Sequence, residues 1–337
     1  MSALVVEPMN DATQWTALQA DGVTPSVDLT IADDATLAGH GPDGVSQLIT
    51  ASAAATGHML RRSLASVDIS GFSELRLSMR SDRRAGETDL PFFLELRVAS
   101  AAIPLGDPNN TWRRLLPVAA ERRWETVKLS LDDLPAGIST AVDTIQLRCV
   151  SADPPFTVNI DDVTAVQPEM IADAGRALEG RLSGIVVGGT PVPALVRSAA
   201  EPLPAAPALD IVNTDIQYAP ARLRDMEVAR DFTGDGLRLV PLGEPYDLYY
   251  SITPLSTTSD ENAAMIEAVL SRIAPFDELN VDGDRQTIEA VWLPREDRPL
   301  TSEESPVLYY KLAARRAGAV HQSVHRVEAL SIRTDQR

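Results

Sequence analysis

Several kinds of residue are scarce in this 337-residue chain, and each scarcity excludes a class of protein. The single cysteine, Cys149, has no partner for an internal disulfide, so the usual support of small secreted domains is missing. No apolar run approaches the ~20 residues that cross a bilayer, which predicts no transmembrane helix. The first residues lack a basic segment followed by a long apolar core, so no secretory signal is expected. These features favour a cytosolic protein that folds on packing alone.

Positive charge is also scarce. The chain has 30 basic and 48 acidic residues, a net charge of −18, and only Lys128 and Lys311 are lysines. Binding to nucleic acid needs concentrated positive charge opposite the phosphates. We therefore expect no nucleic-acid partner, and no membrane partner either.

Sequence motifs of known catalytic and cofactor sites are missing. The chain has no GxSxG elbow, no GxxxxGK[ST] phosphate loop and no GxGxxG fingerprint. The chain has four histidines. His321 and His325 lie four residues apart in a segment of alternating polarity, and the other two are His40 and His58. In a strand, residues at that spacing are ~13 Å apart, too far to share a metal. We predict no catalytic residue, no cofactor-binding residue, no metal ligand, and a protein that is not an enzyme.

Residues 1–167 show short alternating strands separated by turn clusters. In ELRLSMRS (74–81), Leu75, Leu77 and Met79 share one face. The same two-residue period recurs in PFFLELRVAS (91–100), ETVKLSL (125–131), TIQLRCV (144–150) and FTVNIDDVTAV (156–166). Strands at this spacing, separated by segments rich in Gly, Pro, Asp and Asn, predict a β-sandwich or jelly roll.

This succession of strands resembles the galactose-binding-like jelly rolls of many carbohydrate-binding modules. The matching positions are a Trp before an LDDL turn and an acidic pair in the closing strand: Trp124, Asp132, Asp133, Asp161 and Asp162. The resemblance implies the fold and does not by itself imply sugar binding.

Two pairs of alternatives concern side chains of this domain. Asp161 is either a ligand of a structural calcium, as the resemblance implies, or a carboxylate that caps a loop. The tryptophans Trp15, Trp112 and Trp124 either form a platform on which a sugar stacks or pack in the core.

Residues 168–337 predict an α+β domain with a mostly antiparallel sheet and flanking helices. Residues 168–184 have helical spacing, with Met170, Ile171, Ala174, Leu178 and Leu182 as the apolar set, and a Gly-Gly turn follows. The segment GDGLRLVPLGEPYDLYYSIT suggests a hairpin whose second strand Pro254 ends. Thr258 and Glu261 have the spacing of a capping box at the start of a helix. The predicted apolar stripe of that helix is Met265, Ile266, Val269, Leu270 and Ile273.

The acid-glycine loops DFTGDG (231–236) and NVDGDR (280–285) lack the glutamate that completes a calcium loop, so we interpret them as hairpin turns.

The block from Tyr246 to Ile273, together with ALEGRLSGIVVGG, resembles tail-terminator and tube-cap proteins of tailed phages and contractile injection systems. Members of those families assemble as a ring on the end of a tail tube. The resemblance implies a homo-oligomeric ring, tail-tube or neck proteins as partners, and a place in a virion or phage-like particle assembled in the host cytoplasm. The long loops at 199–208 and 295–306 are the predicted assembly surfaces.

Two functional hypotheses follow from the sequence. The first is a non-enzymatic structural component of a phage or phage-like tail, in the terminator, neck or collar region, with an outward jelly roll. The second is a carbohydrate-binding adhesion or accessory protein without catalysis, which makes a glycan a possible partner. A glycosidase is a third hypothesis, because 48 acidic residues offer many carboxylate pairs, but no pattern identifies one pair.

Overall fold

The computed structural model describes residues 2–37, 44–86, 92–118, 122–222, 228–233, 236–241, 244–281, 284–291, 307–316 and 322–325. These residues fall into two compact units. One holds the described residues of Ser2–Pro168, Val228–Val240 and Val320–Arg337, and the other those of Glu169–Glu227 and Pro241–Ala319. The predicted domains, 1–167 and 168–337, stay a prediction, because a domain is a part of the chain that folds on its own.

The first unit is a jelly roll of two antiparallel sheets. Its strands are β1 (Ser2–Glu7), β2 (Trp15–Leu18), β3 (Leu29–Asp34), β4 (Ser46–Ala51), β5 (Met59–Val67), β6 (Glu74–Ser81), β7 (Leu94–Ala99), β8 (Arg113–Leu115), β9 (Glu125–Ser130), β10 (Val142–Cys149) and β11 (Phe156–Gln167), with the short helix α1 (Ala136–Ser139) before β10. The first sheet has the order β3-β4-β11-β6-β9, with β1 also paired to β11; the second sheet has the order β2-β5-β10-β7-β8.

A continuous apolar core lies between the two sheets. Leu75, Leu77 and Met79 point into it from β6, as the alternation predicts, and each is at most 1% exposed. The pairing of β6 with β11 shifts register between Asp161 and Val163, where Asp162 takes a positive φ of 41°. This bulge places two neighbouring acids of the closing strand in different environments, since Asp161 is 1% exposed and Asp162 is half-buried.

The second unit is an α+β layer, which confirms the predicted fold class. The remaining elements, in chain order, are α2 (Met170–Leu182), β12 (Ile185–Val187), β13 (Thr190–Val192), β14 (Ala194–Arg197), β15 (Ala208–Tyr218), β16 (Val228–Phe232), β17 (Gly236–Pro241), β18 (Glu244–Leu255), α3 (Ser259–Arg272), β19 (Phe276–Val281), β20 (Asp284–Ala290), β21 (Leu308–Arg316) and β22 (Gln322–His325). Of these, β16, β22 and nearly all of β17 belong to the first unit, and the others form the second. The main sheet has the order β14-β15-β18-β21-β20-β19, and only β14 and β15 run parallel. In the described part of the chain, no helix combines the length and the apolar character that crossing a bilayer requires.

Two buried tyrosines join this sheet to both of its helical segments. Tyr250 and Tyr310 are cross-strand partners, and each is 1% exposed. The hydroxyl of Tyr250 donates to the carbonyl of Ile171 at 3.1 Å, and that of Tyr310 donates to the carbonyl of Ile273 at 3.4 Å. Burial raises the pKa of both phenols, so the neutral, hydrogen-bonding form is the one present at neutral pH.

The turn chemistry of the second unit follows the sequence. Gly188 and Gly189 join β12 to β13 with φ values of 58° and 83°, which only glycine adopts at low cost in a two-residue hairpin turn. The NVDGDR segment also joins a hairpin, since Val281 pairs with Asp284. The predictions of a turn at Gly188–Gly189 and of a hairpin turn at NVDGDR are confirmed.

Two predictions about the strand containing YDLYYSIT were wrong. β18 does not form a hairpin with β17; it pairs with β15 and β21, while β17 pairs with β22 in a separate sheet. Pro254 does not end the strand, because it pairs with Leu209 and the strand runs to Leu255. Adjacency along the chain favours a hairpin, but here longer-range partners displace it.

The apolar stripes of the helices are narrower than the spacing predicts. Ile171 is 43% exposed and Leu270 is 44% exposed, whereas the acidic Asp173 is buried. Asp173 is tolerated there because its carboxylate accepts the Glu169 N–H at 2.7 Å and pairs with Arg176.

The start of α3 is the predicted N-cap, with one difference. The side chain of Thr258 accepts the Glu261 N–H at 3.3 Å, but the Thr258 N–H donates to the Ser256 hydroxyl, at 3.2 Å, rather than to Glu261. Half of the predicted capping box therefore forms.

We expect Thr258→Ala to destabilise α3 locally by about 1 kcal/mol, because the Glu261 N–H loses its acceptor. Hydrogen exchange of the α3 amides measures this change within the second unit. Thr257→Ala, at an adjacent exposed threonine outside the cap, is the matched control, and Thr258→Ser should retain protection. Equal loss of protection in Thr257→Ala would contradict the role of the cap.

Candidate functional site

The outer face of the second jelly-roll sheet carries a row of polar side chains. Leu60, Leu147 and Leu96 lie opposite one another on β5, β10 and β7 and fill the core. Because side chains alternate along a strand, the next register level points outward. That level consists of Thr16, Arg61, Gln146, Arg97 and Arg113, and we call it the arginine row.

A hollow of about 630 Å³ lies beside the arginine row on the same face. Its floor includes Ser63 and Thr144, a cross-strand pair two residues along from Arg61 and Gln146, or about 7 Å. The segment 99–106 contributes Pro104 and other residues to its lining. The hollow and the row thus form one continuous polar surface, with hydroxyl and guanidinium groups within reach of one ligand, while Gln146 of the row is only 3% exposed.

The loop that borders the hollow is held by its own hydrogen bonds. Asn110 is 8% exposed, and its amide donates to the carbonyl of Val98 at 3.1 Å and to those of Ile103 and Pro104 at 3.4 Å. The hydroxyl of Ser100 donates to the Gly137 carbonyl at 2.7 Å. These bonds fix the shape of the border in the absence of a ligand.

Gly137 also sets how closely α1 approaches this loop. A Cβ atom at position 137 would lie 2.9 Å from Cδ1 of Ile103, closer than packed carbon atoms approach. The absence of a side chain therefore lets Ile103 pack against α1.

The charges of this surface are unevenly paired. Nε of Arg97 lies 3.2 Å from the Glu95 carboxylate, and Arg97 is 22% exposed. Arg61 contacts the Met59 sulfur at 3.6 Å, and within the described residues its buried Nε has no hydrogen-bond acceptor. Asp143, which lines the hollow, accepts the Thr144 hydroxyl at 2.8 Å. Arg61 therefore has bonding capacity left for a ligand, and so does Arg97, whose Nε lies near Glu95 but makes no hydrogen bond among the described residues.

The tryptophans considered for a sugar platform do not form one on this face. Trp15 is 6% exposed and Trp112 is 1% exposed, and both belong to the core between the sheets. Trp112 donates to the Ser130 carbonyl at 3.2 Å and stacks with Arg114, whose guanidinium carbon lies 4.8 Å from the ring centroid. Arg114 in turn pairs with Asp133, an acid of the LDDL turn. Trp124 precedes β9 in the opposite sheet and is half-buried.

The residues considered for other chemistry have structural surroundings. Within the described residues, no three His, Cys, Asp or Glu side chains lie close enough to hold a metal ion. The calcium hypothesis for Asp161 stays a prediction. Burial raises the pKa of the Cys149 thiol to about 11, so it is protonated at neutral pH and is a poor nucleophile. His40 and His321 lie outside the described residues, and His325 ends β22.

A serine–histidine pair occurs at one end of the jelly roll. The Ser26 hydroxyl lies 2.8 Å from Nδ1 of His58, but its oxygen also accepts the N–H groups of Asp28 at 3.2 Å and Leu29 at 3.0 Å. An oxygen that accepts two backbone bonds shapes a turn, and its lone pairs are not available for attack.

Comparison with protein-family models finds no matching family. Comparison with curated proteins finds no match either. Solved structures with some similarity include a family 11 carbohydrate-binding module from Clostridium thermocellum in complex with a β-1,3-1,4-mixed-linked tetrasaccharide. The two sequences are 11% identical, the match covers 49% of this chain and 95% of that chain, and the TM-score is 0.32. A family 30 module of a cellulosomal cellulase from Clostridium thermocellum has 12% identity, 50% and 99% coverage, and a TM-score of 0.34. At these TM-scores the likeness carries no argument about function, and the description of the jelly roll depends on its own sheets.

The surface described here was not predicted from the sequence. Arg61, Arg97 and Gln146 are far apart along the chain and belong to no motif. The usable signal was the alternation LELRVA and TIQLRC, in which a polar residue stands between buried apolar ones. Only the strand pairing shows that these polar positions share one register level.

We expect Asn110→Ala to loosen the loop that borders the hollow, because the carbonyls of Val98, Ile103 and Pro104 lose a donor, a cost of about 1 kcal/mol. Hydrogen exchange should show reduced protection at Ile103 and Asp107, whose amides bond within the loop. Asn109→Ala is the matched control, since the Asn109 side chain bonds only to the nearby Asp107 carboxylate and is exposed. Similar loss in both variants would contradict the assignment.

Proposed function

We propose that the jelly roll is a non-catalytic module that binds carbohydrate on the outer face of its second sheet. The observation that carries this proposal is the continuous polar surface of the arginine row and the adjoining hollow. Saccharides present many hydroxyl groups, which are recognised by planar amides, guanidinium groups and hydroxyls at fixed positions.

The rigidity of this surface supports the proposal. The strands under it are central to the sheet, and the loop beside it is held by Asn110 and Ser100. A surface that is ordered before binding loses little conformational entropy when the ligand arrives.

The test removes the two floor hydroxyls of the hollow together, in the double variant Ser63→Ala/Thr144→Ala. If each hydroxyl bonds to a sugar, the loss of both should weaken binding roughly ten-fold. The assay is a glycan array of neutral and acidic saccharides, followed by calorimetry on the strongest ligand. The matched control is Thr30→Ala/Thr50→Ala, a cross-strand pair on the first sheet, both of whose members are exposed.

Binding that is unchanged in Ser63→Ala/Thr144→Ala would place the ligand elsewhere. Failure of the wild-type chain to bind any saccharide on the array would overturn the proposed function.

A second candidate function is the structural role in a phage or phage-like tail, and the free edges of the main sheet favour it. In the described part of the second unit, the edge strands β14 and β19 each pair with one neighbour only. An open sheet with two unlike free edges can extend from one subunit to the next, and a closed series of such head-to-tail contacts is a ring.

Apolar side chains occur at both edges. Phe276 begins β19 and is 71% exposed, and Leu195 and Val196 on β14 are 38% and 37% exposed. A hollow of about 470 Å³ lies beside Phe276 and is lined also by Pro245 and Ala313. Of the loops predicted to mediate assembly, 199–208 is mostly exposed until β15 begins at Ala208, and 295–306 lies outside the described residues.

If subunits associate through β19, Phe276→Glu should dissociate the assembly, because a charge would be buried at the contact. Multi-angle light scattering and negative-stain microscopy on wild type should show a ring, and the variant should be monomeric. Val186→Glu is the control, since Val186 is 59% exposed and lies on the small β12–β13 hairpin. A wild-type chain that stays monomeric at high micromolar concentration would contradict the ring.

A further inference from the structure

In its described residues, the proposed saccharide-binding surface has no aromatic side chain. The residues that line the hollow include no Trp, Tyr or Phe, and the arginine row includes none. Neutral polysaccharides offer flat apolar ring faces, and their binding sites usually stack an aromatic ring against them. The described Trp15 and Trp112 cannot serve, because both are enclosed in the core.

The same surface collects guanidinium groups in a chain whose net charge is −18. Arg61, Arg97 and Arg113 share one register level, and Arg148 points outward from β10 one level away. Arg61 and Arg97 are two strands apart, or roughly 10 Å. The acids nearby are Glu95, which is paired with Arg97, and Asp143.

Arg61 is placed to take an anionic group. It is half-buried and lines the hollow, and among the described residues its guanidinium bonds to the Met59 sulfur. Its Nε is buried without an acceptor there. A carboxylate accepts two parallel bonds from a guanidinium group, a geometry that a sugar hydroxyl cannot match.

We propose that the ligand of this surface is an acidic polysaccharide whose uronic-acid carboxylate binds Arg61, with neighbouring sugar hydroxyls on Ser63 and Thr144. This inference rests on the proposed carbohydrate-binding function and narrows its substrate class. Attraction between the arginines and a polyanion also makes the binding sensitive to ionic strength.

The experiment is calorimetry of the full chain with an oligogalacturonate and with a neutral cello-oligosaccharide of the same length. We expect the acidic ligand to bind about ten-fold or more tightly than the neutral one, and its affinity to fall as salt is raised. Arg61→Ala should reduce acidic binding about ten-fold and neutral binding little. Arg123→Ala, which removes an exposed arginine before β9 in the opposite sheet, should change neither.

A second variant keeps the test decisive if Arg61→Ala does not fold. Ser63→Glu, at an exposed position, places a negative charge in the hollow, so it should weaken acidic binding far more than neutral binding, which loses only the Ser63 hydroxyl.

Each other outcome overturns a defined part of the proposal. Equal affinity for both ligands, with Arg61→Ala weakening both alike, would overturn the acidic ligand and leave carbohydrate binding standing. Acidic binding that Arg123→Ala weakens as much as Arg61→Ala would indicate diffuse charge attraction and overturn the site. Binding of neither ligand, with none on the array, would overturn both proposals.

Discussion

The register of the central strands of the second jelly-roll sheet is the constraint on which the rest of this surface depends. Leu60, Leu147 and Leu96 form one cross-strand row, and each is at most 2% exposed. A slip of one residue would turn Arg61, Gln146 and Arg97 into the core and expose the leucines. Burial of the apolar row therefore fixes the strand register, and the register in turn fixes where the polar side chains lie on the outer face.

The second unit is organised by a different contact. The cross-strand pair Tyr250 and Tyr310 lies under both helical segments, and its hydroxyls bond to the carbonyls of Ile171 and Ile273. Each tyrosine buries a large ring and satisfies its polar atom on a helical segment, which suits a rigid layer. The opposite face of β18 is half-buried, since Tyr249 and Asp247 keep partial exposure.

The two units therefore contribute different surfaces. The jelly roll contributes a polar face with fixed hydrogen-bonding groups, and the α+β unit contributes two sheet edges that are free in its described part and carry exposed apolar side chains. Neither contribution requires an activated nucleophile, which is consistent with the raised pKa of Cys149 and with the structural bonds of Ser26. The tail and carbohydrate hypotheses are compatible, because each concerns a different unit.

The sequence by itself determined the local structure. The two-residue period predicted the strands that contain Leu75 and Tyr250, the 3.6-residue period predicted both longer helices, and Thr258 identified where α3 begins, because these signals depend on neighbours within a few residues. Tertiary structure alone decided the rest. It paired β18 with β15 and β21, enclosed Trp15 and Trp112, and brought Arg61, Arg97 and Gln146 to one level. Those outcomes depend on which distant strands meet and in which register, and that choice is made by the packing of the whole core.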